Sequence, residues 1–130
     1  MLILTLRTDK PEAEVGVYED QQELVYDKWE AHRQLAETLH SRIEKNLQGI
    51  GKDWAAIGGI VVFQGPGSYT GLRIGISVAN ALAASLEIPI VGNGGDNWLD
   101  EGVKTLASGA NDKHVLPEYG APAFTTAPRK

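Results

Sequence analysis

Cysteine is absent from this 130-residue chain. No disulfide framework, thiolate nucleophile or cysteine-ligated zinc is therefore available, and nothing points to an oxidising compartment. Basic excess is lacking too: 12 Lys plus Arg stand against 17 Asp plus Glu, a net charge of −5. Such a surface has no field to gather phosphate backbones, which disfavours unaided nucleic-acid binding. Long apolar runs are missing. The opening Met1-Leu2-Ile3-Leu4-Thr5-Leu6-Arg7 is shorter than a signal-peptide core. No stretch approaches the roughly 20 residues of a membrane span. The expectation is a soluble cytoplasmic protein with one core and no room for two lobes around a cleft.

What is present reads as strands first. Leu2, Leu4 and Leu6 alternate with Ile3 and Thr5. After Pro11, Ala13, Val15 and Val17 alternate with polar residues, and Leu24-Val25-Tyr26 follows a polar turn and ends near Trp29. From Glu30 the period changes. Leu35, Leu39, Ile43 and Leu47 recur every four residues, which is the pattern of an amphipathic helix stopped near Gly49 and Gly51. The apolar run from Ile57 to Phe63 predicts a central strand.

A loop over residues 64–71 then leads into a second helix over 71–86, with Ser68 or Thr70 as N-cap. That helix has almost no polar face. Ile74, Val78, Leu82 and Leu86 form a large apolar stripe, and Gly71, Gly75, Ala79 and Ala83 form a ladder of small residues at the same spacing. A helix apolar all round needs cover on more than one side, and another chain can supply it. Pro89-Ile90-Val91 predicts a short strand and residues 97–106 a third helix. The expected architecture is an α/β domain over residues 1–109: a mixed five-stranded sheet, three antiparallel strands followed by parallel ones, as in a single actin-like or ribonuclease-H-like lobe. Residues 110–130, with Pro117, Pro122 and Pro128, predict an extended tail over a surface.

Candidate chemistry is sparse. Residues 65–71 could bring backbone N–H groups to an anion or could be a structural turn. Leu72 and Arg73 stand where a Walker loop needs Lys and Ser or Thr, and Ser68 lacks the flanking glycines of a serine elbow. His32 and His40 are eight residues apart, too far for one metal on a helical face, and His114 lies in the tail. Asp9, Asp20, Asp96 and Asp100 sit where Asp is ordinary in turns and helix starts. Trp29, Trp54 and Trp98 are spread one per segment, as at core edges or an interface. No metal, cofactor or catalytic residue is assigned.

The run Gln64-Gly65-Pro66-Gly67-Ser68-Tyr69-Thr70-Gly71-Leu72-Arg73-Ile74-Gly75 closely resembles the GPGSFTGLRIG signature of the bacterial TsaB (YeaZ) family. The match continues through Ala79, Ala83, Pro89 and Val91-Gly92. The opening strand, Thr8 and His32 support it more weakly, so the resemblance spans residues 1–95. It implies a non-catalytic paralogue of TsaD that serves synthesis of threonylcarbamoyladenosine in tRNA. It also implies two helices pairing with TsaD or with a second copy, a TsaE-like ATPase joining the assembly, and tRNA met only through the complex. Carried over by position, the partner-binding residues are Leu35, Leu39, Ile43, Gly71, Arg73, Gly75, Ala79 and Ala83, and the signature loop is Gly65, Pro66, Gly67, Ser68, Tyr69 and Thr70. On that assignment Gly75→Leu should break docking while sparing the fold. The family's Asp-Thr at the end of the first strand is Arg7-Thr8 here, which removes a carboxylate suited to a nucleotide-bound metal. The family's second domain has no counterpart in these residues, and Pro117-Glu118-Tyr119 resembles its Pro-x-Tyr segment, as in a short form or part of a longer chain. The alternative is a small actin-like ATPase or protease-like enzyme using residues 65–71.

Overall fold

The computed structural model describes residues 1–31, 34–67 and 69–118, and of Tyr69 the backbone alone. In chain order the elements are β1 (Leu2–Arg7), β2 (Glu12–Glu19), β3 (Gln22–Glu30), α1 (Leu35–Gly49), β4 (Ile57–Phe63), α2 (Tyr69–Leu86), β5 (Ile90–Asn93) and α3 (Trp98–Ala107), with a 3-10 turn over Trp54–Ala56. The strands form one sheet in the order β3-β2-β1-β4-β5. The first three pair antiparallel; β1 with β4 and β4 with β5 pair parallel. The mixed five-stranded α/β lobe is therefore the one expected from the sequence.

Some boundaries move, for reasons of pairing. β3 runs on to Glu30 because its register with β2 continues to Glu12↔Glu30. That ladder takes Glu30, from which the helical period runs in the sequence, and the first helix begins at Leu35. β5 starts after Pro89, whose missing N–H costs nothing there and whose carbonyl accepts from Ile60 N at 3.0 Å.

Side-chain alternation sorts the core into two layers. Leu4 and Leu6 line up with Val17 and Val15 on one side and with Ile60 and Val62 on the other, all buried. α1 and α2 cover this face. α1 lays Leu35, Leu39, Ile43 and Leu47 into it, at 5%, 0%, 0% and 1% exposure. The opposite face carries Ile3, Gly59 and Val61 and is covered by α3, whose Gly102 and Leu106 lie on Val61 and Gly59. Farther along, the Tyr26 ring lies over Gly16, where an added Cβ would come 2.7 Å from the ring. The Tyr26 hydroxyl donates to Glu14 Oε1 at 2.6 Å, and burial, then that bond, pushes its pKa up.

α1 is tied to the sheet by charge. Arg42 donates through Nε and Nη2 to the two Asp27 oxygens, both at 2.8 Å, and its guanidinium lies 4.7 Å from the Trp29 ring. Asn46 Nδ2 adds a third bond at 2.9 Å. The bond from Arg42 holds the Asp27 pKa below its ordinary value against the opposing effect of burial. A carboxylate depressed in the folded state stabilises above its unfolded pKa and loses that contribution as pH falls through the folded one. Asp27→Asn is expected to cost about 1 kcal/mol at neutral pH, after allowing for partial exposure of the pair. In thermal melts the gap between variant and wild type closes as pH is lowered below about 4. A gap independent of pH would mean that the pair contributes nothing through charge.

Candidate functional site

The signature loop is held by close backbone approaches. Gly65 adopts φ +125°, and the carbonyl of Glu118 lies where its Cβ would be. The carbonyl of Thr8 occupies the same place at Gly71. A Cβ on Gly67 would come 2.8 Å from the Cβ of Asp9. These three glycines are needed for packing between β4 and α2.

Around it, the side chains at the carboxyl ends of β1 and β4 satisfy one another. Arg7 donates to the Asp9 oxygens at 2.8 and 3.2 Å and lies 3.9 Å over the Phe63 ring, which meets Trp98 edge-on. Thr8 Oγ1 donates to the Gly71 carbonyl at 2.7 Å. Asp9 thus supplies a carboxylate beside the loop, but a nearly buried one engaged by Arg7. Ser68 and the Tyr69 side chain lie outside the described residues. Thr70 is exposed inside the first turn of α2 and so is not its N-cap. Pro66, also exposed, follows Gly65 in a cis peptide.

Nor do the other polar candidates converge. His40 stacks on Trp54 at 4.6 Å, His114 is exposed, and His32 lies outside the described residues. Asp20 pairs with the amino terminus at 2.8 Å, and Asp96 and Asp100 are exposed near the start of α3. Among the described residues no three His, Asp or Glu side chains stand together as a metal site. None of the described helices is long and apolar enough to cross a membrane.

The helix surface is arranged differently from the expectation. Leu35, Leu39 and Ile43 point into the core. Gly75, Ala79 and Ala83 are buried as well, and Gly71 is half-buried with Thr8 against it. The small-residue ladder lets α2 settle on the end of β1. Within this chain it is a sheet-packing face, and Leu35, Leu39 and Ile43 pack on the sheet as well. Of the eight residues, Arg73 alone is exposed.

The outward face of α2 carries a second set of small residues, Ser77, Ala81, Ala84 and Ser85, all exposed, beside the half-buried Ile74, Val78 and Leu82. Residues 74–86 contain no charge. A helical wheel holds both ladders at about 100° per residue. Only an independent placement of the sheet tells them apart.

A further element is the segment 110–118, read from the sequence as an extended tail. It forms a strap around the β5 edge. Asn111 Oδ1 accepts from Ile90 N at 3.1 Å, Asp112 Oδ2 from Gly92 N at 2.9 Å, and Asp112 N donates to the Ile90 carbonyl at 2.8 Å. Asn80 of α2 then pairs with both backbone groups of Val115, each at 2.9 Å, and Val115 is buried. Gln64 holds Leu116 and Glu118 at 2.9 and 2.8 Å. The Asn80→Ala variant should release the strap, seen as faster tryptic cleavage after Lys113. An unchanged cleavage rate would show that the β5 contacts suffice.

The architecture is that of an actin-like, ribonuclease-H-like lobe, with the glycine-rich loop at the carboxyl ends of β1 and β4. The family model described as TsaD, tRNA N6-adenosine threonylcarbamoyltransferase, matches residues 29–93, half of the chain. Over 62 residues the chain is 44% identical to the tRNA N6-adenosine threonylcarbamoyltransferase of Geotalea uraniireducens, covering 48% of this chain and 18% of that protein. Over 31 residues it is 68% identical to the tRNA threonylcarbamoyladenosine biosynthesis protein TsaB of Bacillus subtilis, covering 24% and 14%. YeaZ from Pseudomonas aeruginosa superposes with a TM-score of 0.67 at 26% identity, covering 72% of this chain and 43% of that one. The chain belongs to the TsaD family, and within it to the TsaB (YeaZ) members. It spans less than a third of the length of the curated relatives it matches.

Proposed function

We propose that this chain is a non-catalytic docking subunit in the synthesis of threonylcarbamoyladenosine in tRNA, binding a TsaD-like paralogue through the outer face of α2. The relatives' names supply the pathway. The observation that carries the docking role is the uncharged outer face of α2, where Ser77, Ala81, Ala84 and Ser85 allow a second helix to approach closely. Binding energy then comes from burying apolar surface, with few charge pairs to desolvate. Binding of this kind acts on the catalyst by stabilising whichever of its conformations presents the matching face. Alone, the chain pairs with itself through the same face; a TsaE-like ATPase joins only the assembled complex, and tRNA contacts the complex and not this chain directly.

The test is light-scattering chromatography of the chain mixed with the TsaD protein from the same source. A stable one-to-one or two-to-two complex is the expected result; two separate peaks at micromolar concentration would refute the docking role. Calorimetry with ATP and magnesium separates this reading from an ATPase. Arg7 engages the Asp9 carboxylate at that end of β1, and no heat of binding is expected.

A further inference from the structure

β5 is the last strand on its side of the sheet, and its outward backbone groups are those of Ile90 and Gly92. The alternation follows from the pairing with β4, where the Pro89 and Asn93 carbonyls accept from Ile60 N and Gln64 N. An edge of this kind is a template for a further strand. The opposite edge is defended by its own residues. β3 carries Glu23, Asp27, Lys28 and Glu30, and a register shift interrupts its ladder with β2 at Val17/Tyr18. β5 has neither device, since Ile90-Val91-Gly92-Asn93 is uncharged and its register with β4 is unbroken.

What closes β5 is one residue of the strap acting as a strand that does not continue. In a parallel ladder a residue donates its N–H to one carbonyl of the neighbouring strand and accepts, through its own carbonyl, from the N–H two positions on. Asp112 makes both bonds: its N–H donates to the Ile90 carbonyl at 2.8 Å, and it accepts from Gly92 N at 2.9 Å. The acceptor, however, is the side-chain oxygen Oδ2. The main-chain carbonyl of Asp112 is turned back and accepts from His114 N at 2.7 Å. Between them Lys113 has φ +67°, the left-handed region, where a chain leaves the extended path. Asn111 fixes both sides of that turn, its Oδ1 accepting from Ile90 N at 3.1 Å and from Lys113 N at 2.8 Å. Both outward amides of β5 and the Ile90 carbonyl are thereby taken by a segment that presents no straight strand of its own.

We infer that residues 111–113 are a built-in stop, which holds the β5 edge closed against a further strand, and that the chain associates edge to edge when the stop is removed. The strand that then adds is the β5 of a second copy, the same uncharged residues brought together across a two-fold axis. The edge is separate from the outer face of α2, so this inference stands or falls without the docking role.

Residue-resolved amide exchange by NMR tests it, with sedimentation velocity on the same samples. The variants are Asp112→Ala, Asp112→Asn and the double Asn111→Ala/Asp112→Ala, each made in an Ala81→Glu background so that pairing through α2 does not contribute. Protection of the β1 amides, together with the melting curve, confirms folding. Asp112→Ala is expected to speed exchange of the Gly92 amide by at least about tenfold while leaving β1 unchanged. Asp112→Asn keeps an acceptor oxygen on the side chain and should restore the protection. The double variant should sediment as a dimer or larger at concentrations where the background chain is a single species. Unchanged exchange at Gly92 in Asp112→Ala overturns the stop. An Asp112→Asn chain that exchanges like Asp112→Ala overturns the part given to the side-chain oxygen as a stand-in carbonyl. Fast exchange in a double variant that does not associate overturns the edge-to-edge pairing.

Discussion

Gly75→Leu is expected to unfold the domain, not merely to abolish docking. The position sits on the buried face of α2, directly over Thr8 at the end of β1. A Cβ there would overlap Thr8 Oγ1 and come 2.9 and 3.0 Å from its Cγ2 and Cβ. Thr8 has little freedom to give way, because it is 2% exposed and its hydroxyl is bonded to the Gly71 carbonyl. A leucine adds three further carbons to a site that cannot take one. The cost is at or beyond the top of the usual overpacking range, about 3 kcal/mol or more, a large part of the stability of a small domain. Thermal melting should fall by more than about 8 °C, or no cooperative transition remain. The milder pair Gly75→Ala and Thr8→Ala reports the mechanism: combined, they should cost less than the sum of the two, because removing the Thr8 hydroxyl and methyl opens the space that the added methyl group needs. Strict additivity would locate the damage elsewhere.

Ala81→Glu is expected to do the reverse. Ala81 is exposed on the outer face, and glutamate is nearly as good a helix former as alanine, so melting should move by no more than about 0.5 kcal/mol. Docking should weaken by at least about a hundredfold, since a carboxylate in the middle of a closely packed apolar contact would be buried without a partner. The quantity to measure is the dissociation constant for TsaD, with the melting curve as control. Retained affinity would place the interface on another face. Position 75 and position 81 both carry small side chains on one helix, and the contrast between them separates what α2 does for the fold from what it does for a partner.

Much of the fold is legible in the residue pattern alone. The four-residue recurrence of Leu35, Leu39, Ile43 and Leu47 marks an amphipathic helix because its apolar stripe has one sheet to cover, and all four are buried. The run Ile57–Phe63 is a central strand, as its unbroken hydrophobicity demands of a strand covered on both faces. The boundary between β3 and α1 is less legible. The residue pattern gives a strand ending near Trp29 and a helical period from Glu30, and the register with β2, a long-range property, settles Glu30 as strand.

The candidate surface is legible only in part. Two small-residue ladders lie on α2, and sequence spacing does not say which one meets the sheet. The family resemblance draws attention to the glycine ladder, and steric contact with Thr8 assigns that ladder to the interior. The strap leaves a fainter trace. Val115 is a lone apolar residue after a polar stretch, and Asn80 is a polar residue on an apolar helix; neither means anything until they are 2.9 Å apart.

By itself, then, the sequence determined the properties that are local and periodic. Those are the order and type of the elements, the absence of thiol chemistry, and a signature specific enough to indicate a family. Tertiary structure alone decided the properties that depend on which faces meet: that the glycine ladder is core, that the serine–alanine face of α2 is outside, that Asp9 is held by Arg7, and that residues 110–118 bind the edge of β5. The physical reason is that periodicity sets the angle of a side chain about its own helix or strand, while burial and contact depend on where that element is placed among the others.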